Sequence, residues 1–154
     1  MQARDLMTTT VVTIQPDATV GEAVQLMLKC NISCLPVVDE QDHLVGILTH
    51  TDFGLHPKYH PLAENVYSLL GVAMTPQHIE EVSRKVSSKR VKEVMRHPVI
   101  TVQEDASIAE VTELMLRQEI HRLPVLRGSQ LAGIITSHDF LKLIAAGQQA
   151  GEAA

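Results

Sequence analysis

Tryptophan is absent from this 154-residue chain, and tyrosine and phenylalanine contribute two residues each. So few rings provide no platform on which a run of exposed bases could stack. Basic charge is also short. Thirteen Lys and Arg stand against eighteen Asp and Glu, a net charge of −5, whereas a general nucleic-acid binder carries a basic face. No apolar run approaches the ~20 residues that a membrane-spanning helix needs, so neither nucleic acid nor membrane is an expected partner. The opening Met1–Met7 has neither the basic nor the apolar region of a signal peptide, and a cytoplasmic location is expected. Cysteine is limited to Cys30 and Cys34. Their i, i+4 spacing is not a Cys-x-x-Cys pair, and they read as free, partly buried thiols.

The usual marks of catalysis are missing too. There is no Gly-rich phosphate loop ending in Lys, no nucleophile elbow and no paired histidine spacing on a clear helix. His56 and His60 suggest a metal only weakly, because Pro57 interrupts any helix between them and two of four typical ligands are lacking. The sequence therefore predicts no enzyme, no metal and no required cofactor.

What is present is an internal repeat. Asp5-Leu6-Met7 returns as Glu93-Val94-Met95, Val11-Val12-Thr13-Ile14 as Val99-Ile100-Thr101-Val102, and Leu35-Pro36-Val37 as Leu123-Pro124-Val125, at a constant offset of 88 positions. After one deletion in a turn, Gly46-Ile47-Leu48-Thr49 matches Gly133-Ile134-Ile135-Thr136, and Asp52-Phe53 matches Asp139-Phe140, at an offset of 87. Thr19-Val20-Gly21-Glu22 and Ser107-Ile108-Ala109-Glu110 are both capping boxes. Behind the caps, Val20, Ala23, Val24 and Met27 share one helix face, as do Ile108, Val111 and Met115. Leu35–Val38 and Leu44–Leu48 read as strands around the polar turn at Asp39–His43. With first strands at Val11–Ile14 and Val99–Val102, and helices after Thr49 and Thr136, each copy reads strand–helix–strand–strand–helix. The class is mixed α/β (α+β), with two β-α-β-β-α repeats. One such unit cannot bury its open sheet face alone, so the copies are expected to pack together.

Residues 1–55 form the first repeat and 91–145 the second. Between them, 56–90 reads as a helical insertion: a short amphipathic helix over Leu62–Leu70, then a helix from Thr75-Pro76 with Ile79, Val82 and Val86 on one face. The tail, 146–154, has no anchoring side chains and is expected to fray.

Gly46-Ile47-Leu48-Thr49-His50-Thr51-Asp52 and Gly133-Ile134-Ile135-Thr136-Ser137-His138-Asp139 resemble the signature of the cystathionine-β-synthase (CBS) domain: Gly, two apolar residues, Thr or Ser, two variable positions and Asp. The Leu-Pro-Val strand and the Asp-Leu-Met opening fit the same family, so the resemblance covers Asp5–Phe53 and Lys92–Leu143. It implies a pseudo-twofold pair of repeats, a Bateman module, with two clefts that hold adenosyl ligands such as AMP, ADP, ATP or S-adenosylmethionine as regulatory ligands. By the same resemblance Asp52 and Asp139 read the ribose, with Thr49 and Thr136 beside them and Thr51 and His138 at the variable positions. Thr-x-x-Asp after a strand is equally a helix cap that needs no ligand, and the two roles are compatible.

Ile120-His121-Arg122-Leu123-Pro124-Val125 resembles the phosphate-contacting segment of the γ subunit of AMP-activated protein kinase. That implies a bidentate phosphate contact from Arg122 and a pH-dependent donor in His121, with His138 facing the same phosphates. Both could equally be solvated residues on a turn. The first copy has Ser33 and Cys34 at these positions, so unequal sites are expected: one suited to a phosphate, one more neutral. The resemblance places the adenine ring on Val11-Val12 and Val99-Ile100, after Thr10 and Pro98; the same residues could simply be core. The function this implies is a ligand-sensing regulatory module, dimeric, acting on an unidentified protein target. The alternative is a structural dimerisation module with vestigial clefts.

Overall fold

Thr19 and Ser107 begin two sequence-matched helices as their spacing predicts. In the computed structural model, which describes residues 1–53 and 76–152, the Thr19 hydroxyl accepts from the Glu22 N–H at 3.1 Å, and the Glu22 carboxylate accepts from the Thr19 N–H at 2.7 Å. Ser107 and Glu110 repeat the arrangement at 3.2 and 2.8 Å. These caps satisfy N–H groups that the first helical turn leaves unpaired. The helices end alike: Asn31 and Glu119, an offset of 88 apart, both take left-handed backbone angles, with φ of 51° and 52°.

The elements in order are α1 (Ala3–Leu6), α2 (Val20–Cys30), β1 (Cys34–Val38), β2 (Leu44–Thr49), a 3-10 turn at His50–Phe53, α3 (Pro76–Ser88), α4 (Val91–Val94), β3 (Val102–Gln103), α5 (Ile108–Arg117), β4 (Arg122–Arg127), β5 (Gln130–Thr136) and α6 (Ser137–Glu152). The chain divides into two compact units, Val12–Val99 and Met1–Val11 with Ile100–Ala154.

In the Val12–Val99 unit, β1 and β2 form an antiparallel hairpin that pairs Cys34 with Thr49 and Val37 with Gly46, with a bulge between Val37 and Val38. Val20, Ala23 and Met27 of α2 and Leu35, Val37 and Leu48 of the hairpin bury together with Ile14. Val91 and Val94 of α4, both fully buried, complete this core. In α3, Val86 packs on the same core, and Gly21 of α2 lies where a Cβ would come within 3.3 Å of Ser87. The side chains of Ile79 and Val82, the expected helix at Leu62–Leu70 and the His56/His60 pair lie outside what the structure describes.

In the other unit, β3, β4 and β5 form a sheet, parallel between β3 and β4 and antiparallel between β4 and β5, with a bulge between Val125 and Leu126. Val111 and Met115 of α5 pack on Leu123, Val125 and Ile135, and Ala3 of α1 is buried in the same cluster.

The two short helices have exchanged places relative to the sequence repeat. Ala3 N–H donates to Ala106 O and Arg4 N–H to Glu104 O, at 2.8 and 2.9 Å; Val91 N–H donates to Ala18 O and Lys92 N–H to Pro16 O at the same distances. Thr8 then exchanges backbone bonds with Ile134, and Arg96 with Ile47. Each Asp-Leu-Met-type opening therefore completes the sheet of the other sequence repeat. This explains the signature glycines. A Cβ on Gly133 would lie 2.6 Å from Met7 Sδ and 2.8 Å from the Thr8 carbonyl, and one on Gly46 would overlap the Met95 side chain.

Two expectations are corrected. The first strands are far shorter than read: Val11–Ile14 yields one parallel bridge, Ile14 to Val37, and Val99–Val102 yields only Val102–Gln103. The chain leaves one unit for the other at Val11–Val12 and again at Val99–Ile100, so only the residues past each crossing can join a ladder. The tail expected to fray is helical to Glu152. Its Ala, Gln and Glu residues are good helix formers and continue a helix already nucleated at Ser137.

Candidate functional site

Among the described residues, the polar or charged side chains that are nearly fully buried are Thr49, Asp52 and Asp139, at 4%, 2% and 5% exposed. All three belong to the two Thr-x-x-Asp turns. Burying a carboxylate costs free energy unless donors surround it, and the turns supply them. Asp139 Oδ2 accepts from the Thr136 N–H at 2.8 Å and from the Thr136 hydroxyl at 3.0 Å. Asp52 Oδ2 accepts likewise from Thr49, at 2.7 and 3.1 Å. In both copies the carboxylate thus closes back on the Thr that precedes the turn, the half of a capping box in which the acid accepts from the N-cap N–H, and this occupies one oxygen of each carboxylate.

The second oxygens differ. Asp139 Oδ1 has Lys142 Nζ at 3.6 Å, on a side chain 65% exposed. Asp52 Oδ1 is held by Arg96 Nε at 3.2 Å, while Arg96 Nη2 donates to Thr49 Oγ1 at 3.2 Å. Arg96 was not among the residues singled out from the sequence.

β4 brings the His-Arg pair to the second turn. Arg122 pairs in register with Thr136. Ser137 N–H donates to the His121 carbonyl at 3.0 Å, and the His121 Nδ1 lies 3.2 Å from Ser137 Oγ. Arg122 and Thr136 therefore sit on two adjoining strand ends, with His121 just before β4, and Asp139 and the exposed His138 in the first turn of α6. His121 and Ser137 also edge an apolar groove of about 490 Å³ with Met115, Leu116, Ile120 and Phe140. Thr136 and Asp139 are not among its walls, so this groove is not the expected ribose site. In the first copy Ser33 and Cys34 take the matching places; Cys34 pairs with Thr49, and His50 N–H donates to Ser33 O.

Thr10, Val11, Val12, Pro98, Val99 and Ile100 lie in the extended connections rather than in strands. Thr10, Pro98 and Ile100 are exposed, and the three valines are half-buried. Thr51 falls in the 3-10 turn beside Asp52.

Comparison with known proteins decides the family. The CBS domain matches residues 3–53 and 91–146, more than half the chain and both repeats. The chain belongs to the CBS domain family. Inosine-5'-monophosphate dehydrogenase of Methanocaldococcus jannaschii is 35% identical over 142 residues, which cover 92% of this chain and 23% of that enzyme. The chain thus spans about a quarter of the length of that relative. The solved CBS domain of a CBS domain-containing membrane protein from Sphaerobacter thermophilus is 35% identical, with a TM-score of 0.73 over 93% of this chain and 87% of that one. The CBS domain pair of protein MJ0100, solved in complex with 5'-methylthioadenosine and S-adenosyl-L-methionine, is 26% identical, with a TM-score of 0.68 over 96% and 98% of the two chains. Among the described residues of this CBS pair, no helix is long and apolar enough to cross a membrane, and no three His, Cys, Asp or Glu side chains gather as metal ligands.

Proposed function

We propose that this CBS pair is a regulatory module that binds an adenine nucleotide at the Thr136–Asp139 turn, rather than a catalyst. The observation that carries this is the second oxygen of Asp139. The fold uses Oδ2 for the cap and leaves Oδ1 beside one well-solvated lysine at 3.6 Å. A carboxylate so placed can accept a ribose hydroxyl in a charge-assisted bond. The Thr136 hydroxyl, which donates to Asp139, keeps lone pairs to accept from a ribose hydroxyl, and the adjoining Arg122 and His121 supply donors for a phosphate, with His138 next to them on the first turn of α6. Support for an adenosyl ligand comes from the MJ0100 pair, solved in complex with 5'-methylthioadenosine and S-adenosyl-L-methionine. The dehydrogenase match covers only a minor part of that enzyme, which favours a controlling role over a catalytic one. Val99 and Ile100, with Pro98, are assigned to the adenine. Thr10, Val11, Val12, Thr49, Thr51 and Asp52 make up the weaker first-copy site.

In this reading the ligand is a signal and no cofactor is required. It shifts the population between two states of the module, and only by its difference in affinity for them; a coupling of about 1–3 kcal/mol is typical. The module works as a homodimer in the cytoplasm and passes the signal to a protein target. Its exposed Leu116, Leu141 and Ile144 offer apolar surface for such contacts.

Titration calorimetry of AMP, ADP, ATP and S-adenosylmethionine against the purified chain tests the proposal. Binding of at least one at micromolar to sub-millimolar concentration is expected. Absence of binding by all four would favour a structural dimerisation module, the reading that the capping role of Asp139 permits. Arg122→Ala should weaken AMP by about tenfold, the lower end of the range for a charge-assisted bond at a solvated position, while leaving adenosine little changed.

A further inference from the structure

With Ser33 and Cys34 in place of a His-Arg pair, the first-copy turn reads as the neutral one. The fold supplies a cation there from a distant part of the chain. Arg96 follows α4, and its backbone exchanges two hydrogen bonds with Ile47, at 2.9 and 3.0 Å. From that fixed point its guanidinium spans the whole turn, reaching Asp52 Oδ1 and Thr49 Oγ1 at 3.2 Å each. Thr8 holds the matching position in the other unit, where it pairs with Ile134, and it carries no charge. Both oxygens of Asp52 are therefore engaged, whereas Asp139 keeps one beside a solvated lysine.

We propose that Arg96 sets ligand selectivity at the Asp52 turn, disfavouring neutral nucleosides and admitting ligands that carry a phosphate. This rests on the reading that the turns bind adenosyl ligands. A ribose hydroxyl that donates to Asp52 Oδ1 competes with the guanidinium for that oxygen. Asp52 is nearly fully buried, and breaking an ion pair with a buried partner is costly. A neutral nucleoside offers the carboxylate a hydroxyl in exchange for a cation and gives the guanidinium nothing. A phosphorylated ligand gives it a new anion, which a guanidinium binds bidentately. Arg96 is placed for this exchange: its backbone is fixed by the bridge to Ile47, and its side chain is 46% exposed, so the head group can turn without unpacking the core.

The test is calorimetry of AMP and adenosine in an Asp139→Ala background, which removes the second-copy carboxylate. Arg96 is then kept, or changed to Ala or to Gln; the glutamine can still donate to Thr49 should the alanine variant fail to fold. With Arg96 present, AMP binds and adenosine binds more weakly. Either substitution weakens AMP by about tenfold and tightens adenosine, so the preference between them falls by more than tenfold. An unchanged preference with both ligands binding would overturn the role of Arg96. If the Asp139→Ala protein binds neither ligand while the unsubstituted chain binds AMP, the inference fails and the Asp139 reading stands. If the unsubstituted chain binds neither, both fall.

Discussion

Replacing each signature glycine by alanine should separate the two copies. At Gly133, the new Cβ would lie 2.6 Å from Met7 Sδ, 2.8 Å from Met7 Cγ and 2.8 Å from the Thr8 carbonyl oxygen. Comfortable carbon contacts lie near 3.5–4.0 Å, so all three have to retreat. The thioether can swing away. The Thr8 carbonyl cannot do so cheaply, because it accepts from Ile134 N–H at 3.0 Å while Thr8 N–H donates to Ile134 O at 2.9 Å. At Gly46, the close atoms all belong to the Met95 side chain. Overpacking costs about 1–3 kcal/mol, and alanine returns about 0.4–1 kcal/mol by restricting the unfolded chain. Gly133→Ala should therefore lose about 1–2 kcal/mol and Gly46→Ala about 0–1 kcal/mol. At about 2–4 °C per kcal/mol for a chain of this size, Gly133→Ala lowers Tm by about 2–8 °C. Urea denaturation at fixed pH gives the two values directly. Met7→Ala combined with Gly133→Ala should cost less than the sum of the singles by about 1 kcal/mol, since the clash is shared. Equal losses at the two glycines, or strict additivity with Met7, would refute the packing of residues 1–8 on the β4–β5 hairpin.

Three further outcomes follow from local geometry. Glu119 sits at φ 52°, where its counterpart is an asparagine, so Glu119→Asn should gain about 0.5–1 kcal/mol in the same denaturation assay; a loss would mean that the glutamate makes a compensating contact. Ser107→Ala should cost about 1 kcal/mol by removing the α5 cap, and a change below a few tenths would show that the cap is idle. The Glu110 carboxyl is held below its ordinary range, chiefly by the hydrogen bond from the Ser107 backbone N–H. Asp39 is lowered chiefly by the His43 N–H, Glu104 by the Arg127 side chain and Asp17 by Lys92. Their contribution is thus present above the unfolded carboxylate range and is lost as pH falls through the folded values. Stability should decline from about pH 5 downward, and Glu110→Gln should flatten that decline; a steeper acid limb would contradict the assignment.

The hairpins, the capped helices and the signature turns were legible because each is written in a few consecutive residues: two short apolar runs around a polar turn, a Ser or Thr three before a Glu, a Thr three before an Asp. The exchange of α1 and α4 was not. Each is a four-residue helix with no periodicity to read, and its partners lie far along the chain, as Ala3 does from Ala106. The β-branched stretches at Val11 and Val99 look like strands, yet the chain changes units there and most of their backbone has no ladder to join. Arg96 was missed for the same reason as α4: its partners Thr49 and Asp52 lie far along the chain, although the expected adenine contacts begin two residues after it, at Pro98. A signal did exist. A glycine inside a strand, as at Gly46, marks the close approach of another backbone, and the matched register of Met7 with Met95 identifies the segment that comes near. Thr8's counterpart position in that same segment is Arg96, so the cation beside Asp52 was within reach of a longer argument.

Asp139→Asn tests the central claim most directly. The amide oxygen can still accept from the Thr136 N–H, so the cap survives, while the ligand-facing oxygen becomes a donor. Calorimetry with the tightest-binding adenine nucleotide should then show a loss of about 30-fold or more, the worth of a charge-assisted bond, with Tm in the absence of ligand changed by only a few degrees. Undiminished affinity in Asp139→Asn would contradict the account, leaving the second-copy turn as a helix cap and nothing more.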